Sequence, residues 1–554
     1  MMAGVMAIAS PLLAAGAPKA DLVLRGGQVF VGKGKPRAQA IALLGERVMA
    51  VGSNAEIAML VGPGTRSVDL AGRLVVPGFN DAHVHFLSGG FGLLSVDLRD
   101  CRSEQEMAER IGAYARSLPK GAWVLEGNWD HESWPEKRLP TRASLDALTP
   151  DNPVFVSRLD GHMALANSEA LRLAGIDRNT KDPDGGSIVR GPDGEPTGIF
   201  KDNAESLIDR VVPTPSRELN LRAARAALLE AARLGVTSIQ DNSSVDALPT
   251  YQELRAKGEL TARMYVWRYA ESMPALKQAG VLTGLGDDWI RLGAIKILSD
   301  GSMGAGTAAF FEPYADDPKT SGLLLHPVAE LEQLVLDADT AGFQLAVHAI
   351  GDRANSLVLD AFEKAARKNP ARDRRFRIEH AQVVRASDVV RFKALGVVAS
   401  IQPSHCIDDM RWAEKRIGHE RCTGAYRFKS FLDAGVPVAF GTDWSVETLD
   451  PRLGLYAAVT RELPSGGPAG GWFPAEKISL EDAIDLYTRG SAFAEFAEKD
   501  KGTLEPGKLA DLVVFGQDLF QGSPRQILST PLDMTVVGGR VVYERAHAGA
   551  RPGS

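Results

Sequence analysis

From residue 235 to residue 443 the chain repeats one pattern: a short apolar run that ends on a polar residue, then a longer stretch with apolar residues at helical spacing. The runs cover 235–241, 262–268, 291–300, 344–349, 376–381, 397–402 and 436–443. Runs this short and this apolar predict strands buried on both faces. The stretches 219–234, 327–342 and 353–368 predict amphipathic helices that cover them. An eighth run, from Leu74 to Phe79, leads into His83 and His85. Eight alternating β/α units predict a TIM barrel, whose site lies at the C-terminal ends of the strands. An open doubly wound sheet is the alternative topology.

About 150 residues separate His85 from Gly235, several times what one crossover needs, so the first unit is expected to carry a large insertion over about 100–230. The two chain ends are alike. Residues 21–53, 510–515 and 534–543 read as short strands, and Gly26-Gly27 and Gly538-Gly539 each separate two β-rich arms as a tight hairpin demands. The expected layout is a small β-sandwich domain built from 21–78 and 501–545, around a barrel spanning 79–500. Residues 1–20 read as the remnant of a signal peptide or a disordered tail. The apolar, small-residue run before Pro18 suits an h-region and cleavage site but lacks a basic head. The first reading leans towards export to the periplasm, the second towards the cytoplasm.

The net charge of −7, from 63 basic and 70 acidic residues, predicts no electrostatic footprint for nucleic acid. The partner expected is a small-molecule substrate, and the expected assembly a homodimer. Cys101, Cys406 and Cys422 are too few and too irregularly spaced for a disulfide framework or a thiolate cluster. Any metal must be held by nitrogen and oxygen.

Such ligands stand at the strand ends. His83 and His85 follow the first strand, Lys296 lies on the fourth, His348 on the fifth, His380 on the sixth and Asp443 at the end of the eighth. Imidazole nitrogen and carboxylate oxygen suit Zn²⁺, whereas Mg²⁺ or Ca²⁺ would draw mostly oxygen. One or two divalent cations, zinc first, are therefore expected. Lys296 does not fit, because an ammonium flanked by Ile295 and Ile297 would repel a dication.

The ordered motifs "PGFNDAHVHF", "IKILSDGSMG", "VHAIGDRAN", "RIEHAQ", "QPSH", "FGTDWSVETLDP" and "GKLADLVVF" resemble the amidohydrolase superfamily. Within it they are similar to amidohydrolase family 3, the YtcJ-like branch that includes N-substituted formamide deformylases, over residues 21–545. The resemblance implies that Lys296 is N6-carboxylated, which turns a cation into a bridging anion. It implies further that His83, His85 and Asp443 hold one metal and His348 and His380 another, with Lys296 between. The chain departs from many relatives at Ala305-Gly306-Thr307, where they carry a larger residue.

A water on a divalent cation becomes a nucleophile near neutral pH while the metal polarises a carbonyl. Asp443 is placed to take the proton of that water and pass it to a leaving nitrogen. His162, in "DGHMALANS", and His405, in "QPSHCIDD", are suited to donate hydrogen bonds to a carbonyl or oxyanion. Trp129, Asp130 and Trp134, in "GNWDHESW", are expected to line or lid the pocket, and Asp300 and Asp352 to orient ligands or cap helices. No Gly-x-Ser-x-Gly elbow supports a serine nucleophile. The reading that follows is a metal-dependent hydrolase of an amide, N-acyl or N-formyl C–N bond. One rival is a zinc deaminase of a cyclic amidine or aminated base. Such relatives place a Glu three residues after the fifth-strand histidine, where this chain has Gly351. The other rival is a silent barrel serving as an interaction protein.

Overall fold

The structure is a computed structural model and describes residues 18–242 and 246–546. Residues 1–17, which carry most of the proposed leader or tail, lie outside the described residues. Eight parallel strands follow the order of the chain: β1 (Phe79–Val84), β2 (Val236–Asp241), β3 (Arg263–Tyr269), β4 (Ile290–Leu298), β5 (Leu345–Ala349), β6 (Arg377–His380), β7 (Val398–Ile401) and β8 (Val438–Phe440). The ring is nearly closed. Just past β8, the Asp443 amide donates to the His83 carbonyl at 2.7 Å, and the His85 amide donates to the Trp444 carbonyl at 2.6 Å. This is the α/β barrel that the apolar runs predict.

The barrel interior is more polar than the aliphatic layers usual for this fold. Arg377, fully buried, donates to Glu379, to the Ala82 carbonyl and to the Ser400 hydroxyl, and hydrogen-bonds Gln240. Its guanidinium lies 4.7 Å from the Trp267 ring centre. Burying such charge is tolerable only because each donor has an acceptor. The apolar core lies outside the ring, where Phe343, Val347, Phe362, Ile378 and Phe392 pack between strands and helices such as Val328–Thr340 and Asp352–Lys368.

Between β1 and the helix Arg217–Leu234 sits a separate five-stranded sheet, in the spatial order Gly186–Arg190, Pro196–Asp202, Met163–Ala166, Val154–Ser157, Val124–Leu125. The helix itself belongs to the barrel. Its Leu221, Ala224, Leu228 and Leu234 share a core with Val236 and Ile239 of β2. In the inserted sheet Met163 pairs with Lys201 in antiparallel register, and the Asp202 amide donates to the His162 carbonyl at 3.2 Å. His162 and Asp202 are thus cross-strand neighbours at one end of the insertion.

The chain ends build two further sheets. One comprises Arg47–Gly52, Ala40–Leu44, Leu22–Arg25 and Arg66–Asp69; the other comprises Gln28–Val29, Leu74–Pro77, Leu512–Phe515, Leu532–Val537 and Arg540–Glu544. Leu24, Ile41, Leu512, Val514 and Val536 share one core. Gly538 and Gly539, at φ +55° and +71°, turn the tight hairpin between Val537 and Arg540. The parallel expectation for Gly26-Gly27 is corrected: Leu22–Arg25 and Gln28–Val29 belong to different sheets, so the pair is a corner. Glycine is required there because Gly26 has φ +71° and a Cβ on Gly27 would lie 2.4 Å from Leu70 Cδ1.

Candidate metal centre

The ligand atoms of His83, His380 and Asp443, all buried, lie within 4.8 Å of one another at the C-terminal mouth of the barrel. The remaining expected ligands join them. His85 Nε2 is 3.3 Å from Asp443 Oδ1, Lys296 Nζ is 3.3 Å from His83 Nε2, and the ring centres of His348 and His380 are 4.6 Å apart. All six line one cavity of about 500 Å³, together with His162 and His405. Two of the set hold backbone conformations rare outside glycine, His380 at φ +71° and Asp443 at +59°. Strain of this kind gathers where a side chain must be aimed.

The donor set suits a divalent cation because three imidazoles have one nitrogen already engaged. His83 Nδ1 lies 2.7 Å from Glu379 Oε2, and His380 Nδ1 lies 2.8 Å from Gln402 Oε1. Each Nδ1 therefore carries its proton towards an oxygen, which leaves the Nε2 lone pair free. In His348 it is Nε2 that faces the Gly301 carbonyl, at 3.2 Å, and Nδ1 that remains free. Asp443 Oδ1 is buried without a hydrogen bond among the described residues. His83 thus turns its other nitrogen to Lys296 Nζ, and Asp443 keeps Oδ1 for a cation.

The electrostatics agree. Burial, with help from Lys296, pushes His83 down to about 4. Burial also holds His380 well below and His348 below the usual histidine range. Burial opposes ionisation of Asp443, but His83, His85 and His380 outweigh it and hold the carboxyl well below its usual range. For Glu379 burial is likewise outweighed, by Arg377 and His83, and the carboxyl falls to about 2. Burial lowers Lys296 to about 8, which gives its amine a substantial neutral fraction at ordinary pH.

His405, on the helix Pro403–Asp409, stacks on His380 at 6.1 Å between ring centres; its Nε2 is 3.8 Å from Asp443 Oδ2 and makes no hydrogen bond. His162 reaches the cavity from the insertion, its ring centre 5.1 Å from that of His348 and its Nδ1 2.7 Å from Asp202 Oδ1. Burial would lower His162, but the hydrogen bond and charge of Asp202 raise it. Asp300 receives the Ala309, Ile350 and Gly351 amides and lies 3.4 Å from His348 Nε2, whereas Asp352 receives the Phe311 amide from the neighbouring loop.

Trp129, Asp130 and Trp134 do not line the cavity, and the expectation for them is corrected. Trp129 is fully buried in the core of the insertion, its Nε1 donating to the Val156 carbonyl at 2.8 Å; Trp134 donates to the Cys101 carbonyl at 3.0 Å. Asp130 accepts from Arg158 at 2.8 Å. The neighbouring residues that do line the cavity are Glu126, Asn128 and Arg158. Sequence reading also passed over Glu379, Gln402 and Asp202. The first two had a signal, since each sits beside a ligand or candidate in "RIEH" and "IQPSH".

An eight-stranded α/β barrel with a histidine and aspartate cluster at its strand ends has the architecture of a barrel enzyme, its cluster where such enzymes carry their active sites. The chain belongs to the amidohydrolase family, which it matches over residues 66–543. It is 36% identical to Protein LONG AFTER FAR-RED 3 of Arabidopsis thaliana, over 95% of this chain and 92% of that protein. It is 29% identical to the N-substituted formamide deformylase of Arthrobacter pascens, over 92% and 95% respectively. Among solved structures, an uncharacterized metal-dependent hydrolase from Pyrococcus horikoshii OT3 superposes with a TM-score of 0.74 at 30% identity, covering 90% of this chain and 97% of that one.

Proposed function

We propose that the protein is a metal-dependent amidohydrolase that cleaves the C–N bond of an amide, N-acyl or N-formyl compound. The observation that carries this reading is the cluster of His83, His380 and Asp443, one ligand atom of each lying within 4.8 Å of the others, while Glu379 and Gln402 hydrogen-bond the two histidines. His83, His85 and Asp443 would hold one cation, and His348 and His380 a second. Lys296, carboxylated on its neutral amine, would stand between them. A bound divalent cation, zinc by its ligand chemistry, supplies an acidified water and a polarised carbonyl. The residues supply the proton path. Asp443, kept ionised by its imidazole neighbours, accepts the proton of the attacking water and delivers it to the departing nitrogen. His405, with Nε2 free beside Asp443, and His162, whose protonated form is favoured by its hydrogen bond to Asp202, donate hydrogen bonds to the oxygen on which charge develops.

The deaminase alternative is disfavoured at one position. A Cβ on Gly351 would lie 1.9 Å from the Ala309 carbonyl oxygen, so no glutamate can stand there without moving the backbone. The deciding experiment assays purified protein of known zinc content against N-formyl and N-acetyl amines, with cyclic amidines beside them. Amine release that falls with zinc removal supports the proposal. Ammonia release from amidines alone favours the deaminase, and a folded, metal-free, inactive chain favours an interaction protein.

A further inference from the structure

The lining of the cavity carries eight carboxylates against two basic side chains, Arg158 and Lys296. Arg158 is committed, at 2.8 Å to Asp130 and 2.7 Å to Asp160. Lys296 faces His83. On the side built by the insertion, Glu126, Glu205 and Asp209 have no hydrogen bond or ion pair to their carboxylates among the described residues. Glu205 Oε1 is sealed from solvent and still unpartnered. Glu447, only 8% exposed and also without a hydrogen bond or ion pair among the described residues, lines the same cavity from the loop after β8.

The backbone aims these groups at some cost. Glu126, Gly127 and Asn128 all have positive φ, at +66°, +116° and +60°, and both non-glycine residues line the cavity. Burial raises Glu126 and Glu205, and the charge of Asp209 raises each further, so Asp209 lies near both. A sealed carboxylate oxygen with no donor, as at Glu205 Oε1, is costly to ionise until a ligand supplies one. A metal ion does not answer that need. Among the described residues the set whose donor atoms all fall within 4.8 Å is His83, His380 and Asp443. The three acids of the insertion are too widely spaced to share one ion, and suit a cation that spreads several N–H donors.

Resting on the amidohydrolase reading, we infer that the substrate carries a nitrogen cation, an alkylammonium or guanidinium group. The Glu126, Glu205 and Asp209 carboxylates receive this group while the scissile bond faces the histidine cluster. Asp202 links the two regions. It holds His162 beside His348, and its charge also acts on Glu205.

The test compares two substrates that differ only at the far end: monoformylated 1,6-diaminohexane and N-formylhexylamine. Charge-assisted hydrogen bonds predict a kcat/KM for the cationic amide higher by roughly ten- to hundredfold. The ratio should fall towards one in a Glu126→Gln, Glu205→Gln, Asp209→Asn variant, and part-way in Asp209→Asn alone, a change at an exposed site that leaves the fold intact. Equal cleavage of both amides by the unaltered protein overturns the inference and leaves the hydrolase reading standing. Cleavage of neither counts against that reading instead. The charge preference is then read by calorimetry with 1,6-diaminohexane and 1,6-hexanediol. Tighter diamine binding that is lost in the triple variant upholds it, and equal binding overturns it.

Discussion

Glu379 Oε2 sits 2.7 Å from His83 Nδ1, with both side chains fully buried. The carboxylate also receives Arg377, so one group fixes a ligand tautomer and neutralises the guanidinium inside the barrel. Glu379→Gln should keep the fold yet weaken metal affinity by roughly 10–100-fold, because a partner of this kind sets ligand basicity. Glu379→Ala should cost about 3–5 kcal/mol, because it strands a buried charge. Zinc titration and denaturant unfolding separate the two effects. Wild-type affinity in both variants would contradict the role assigned to the pair.

The pH profile should report the His162–Asp202 dyad. Asp202 raises His162, so the imidazolium is favoured in the fold. Its contribution to stability is complete below the ordinary histidine pKa and is lost as pH rises through the raised value. The alkaline limb of kcat/KM should follow the same proton. Asp202→Asn should move that limb to lower pH and reduce the rate by about 10²-fold. An unmoved limb would remove His162 from the proton path.

Trp129 should behave as a core residue. Trp129→Ala is expected to lose about 3–5 kcal/mol of stability, seen as a lower denaturant midpoint. The relative kcat/KM across a panel of amides should stay unchanged.

Much of this could be read from the chain and some could not, for physical reasons. Strands such as 344–349 and 397–402 are buried on both faces, so their apolar runs stand out from the helices between them, and the ligands at their ends stand out in turn. The short strands of the insertion alternate weakly, and nothing local separates Trp129, which packs in its core, from Glu126 and Asn128, which face the cavity. Gly26-Gly27 and Gly538-Gly539 have the same composition, and only the pairing of their flanking strands makes one a corner and the other a hairpin. The roles of Arg377 and Glu379 were not legible because their partners, Gln240, Ala82 and Ser400, come from three other strands.

Lys296 separates bridging from mere proximity. Its Nζ lies 3.3 Å from His83 Nε2 and burial lowers its pKa to about 8, which suits the proposed carboxylation by CO₂. Lys296→Ala should be inactive and partly restored by short carboxylic acids. Lys296→Arg should not be restored, because a guanidinium fills the space with fixed charge. A carbon-13 carbamate signal with labelled bicarbonate, lost in both variants, is the spectroscopic counterpart. Full activity without that signal would assign Lys296 another role.

The central claim of the proposed function is that His83, His85 and Asp443 hold one catalytic divalent cation, and His380 with His348 holds a second. The most direct measurement is elemental analysis of the purified chain after exhaustive dialysis, run in parallel with His380→Ala and with activity measured on the same samples. At least one zinc per chain is predicted in the native protein. His380→Ala should lose both metal and turnover while keeping its circular dichroism, since a site of this kind tolerates the loss of a ligand poorly. A folded native chain without metal that still turns over, or a His380→Ala variant with undiminished zinc, would contradict the account.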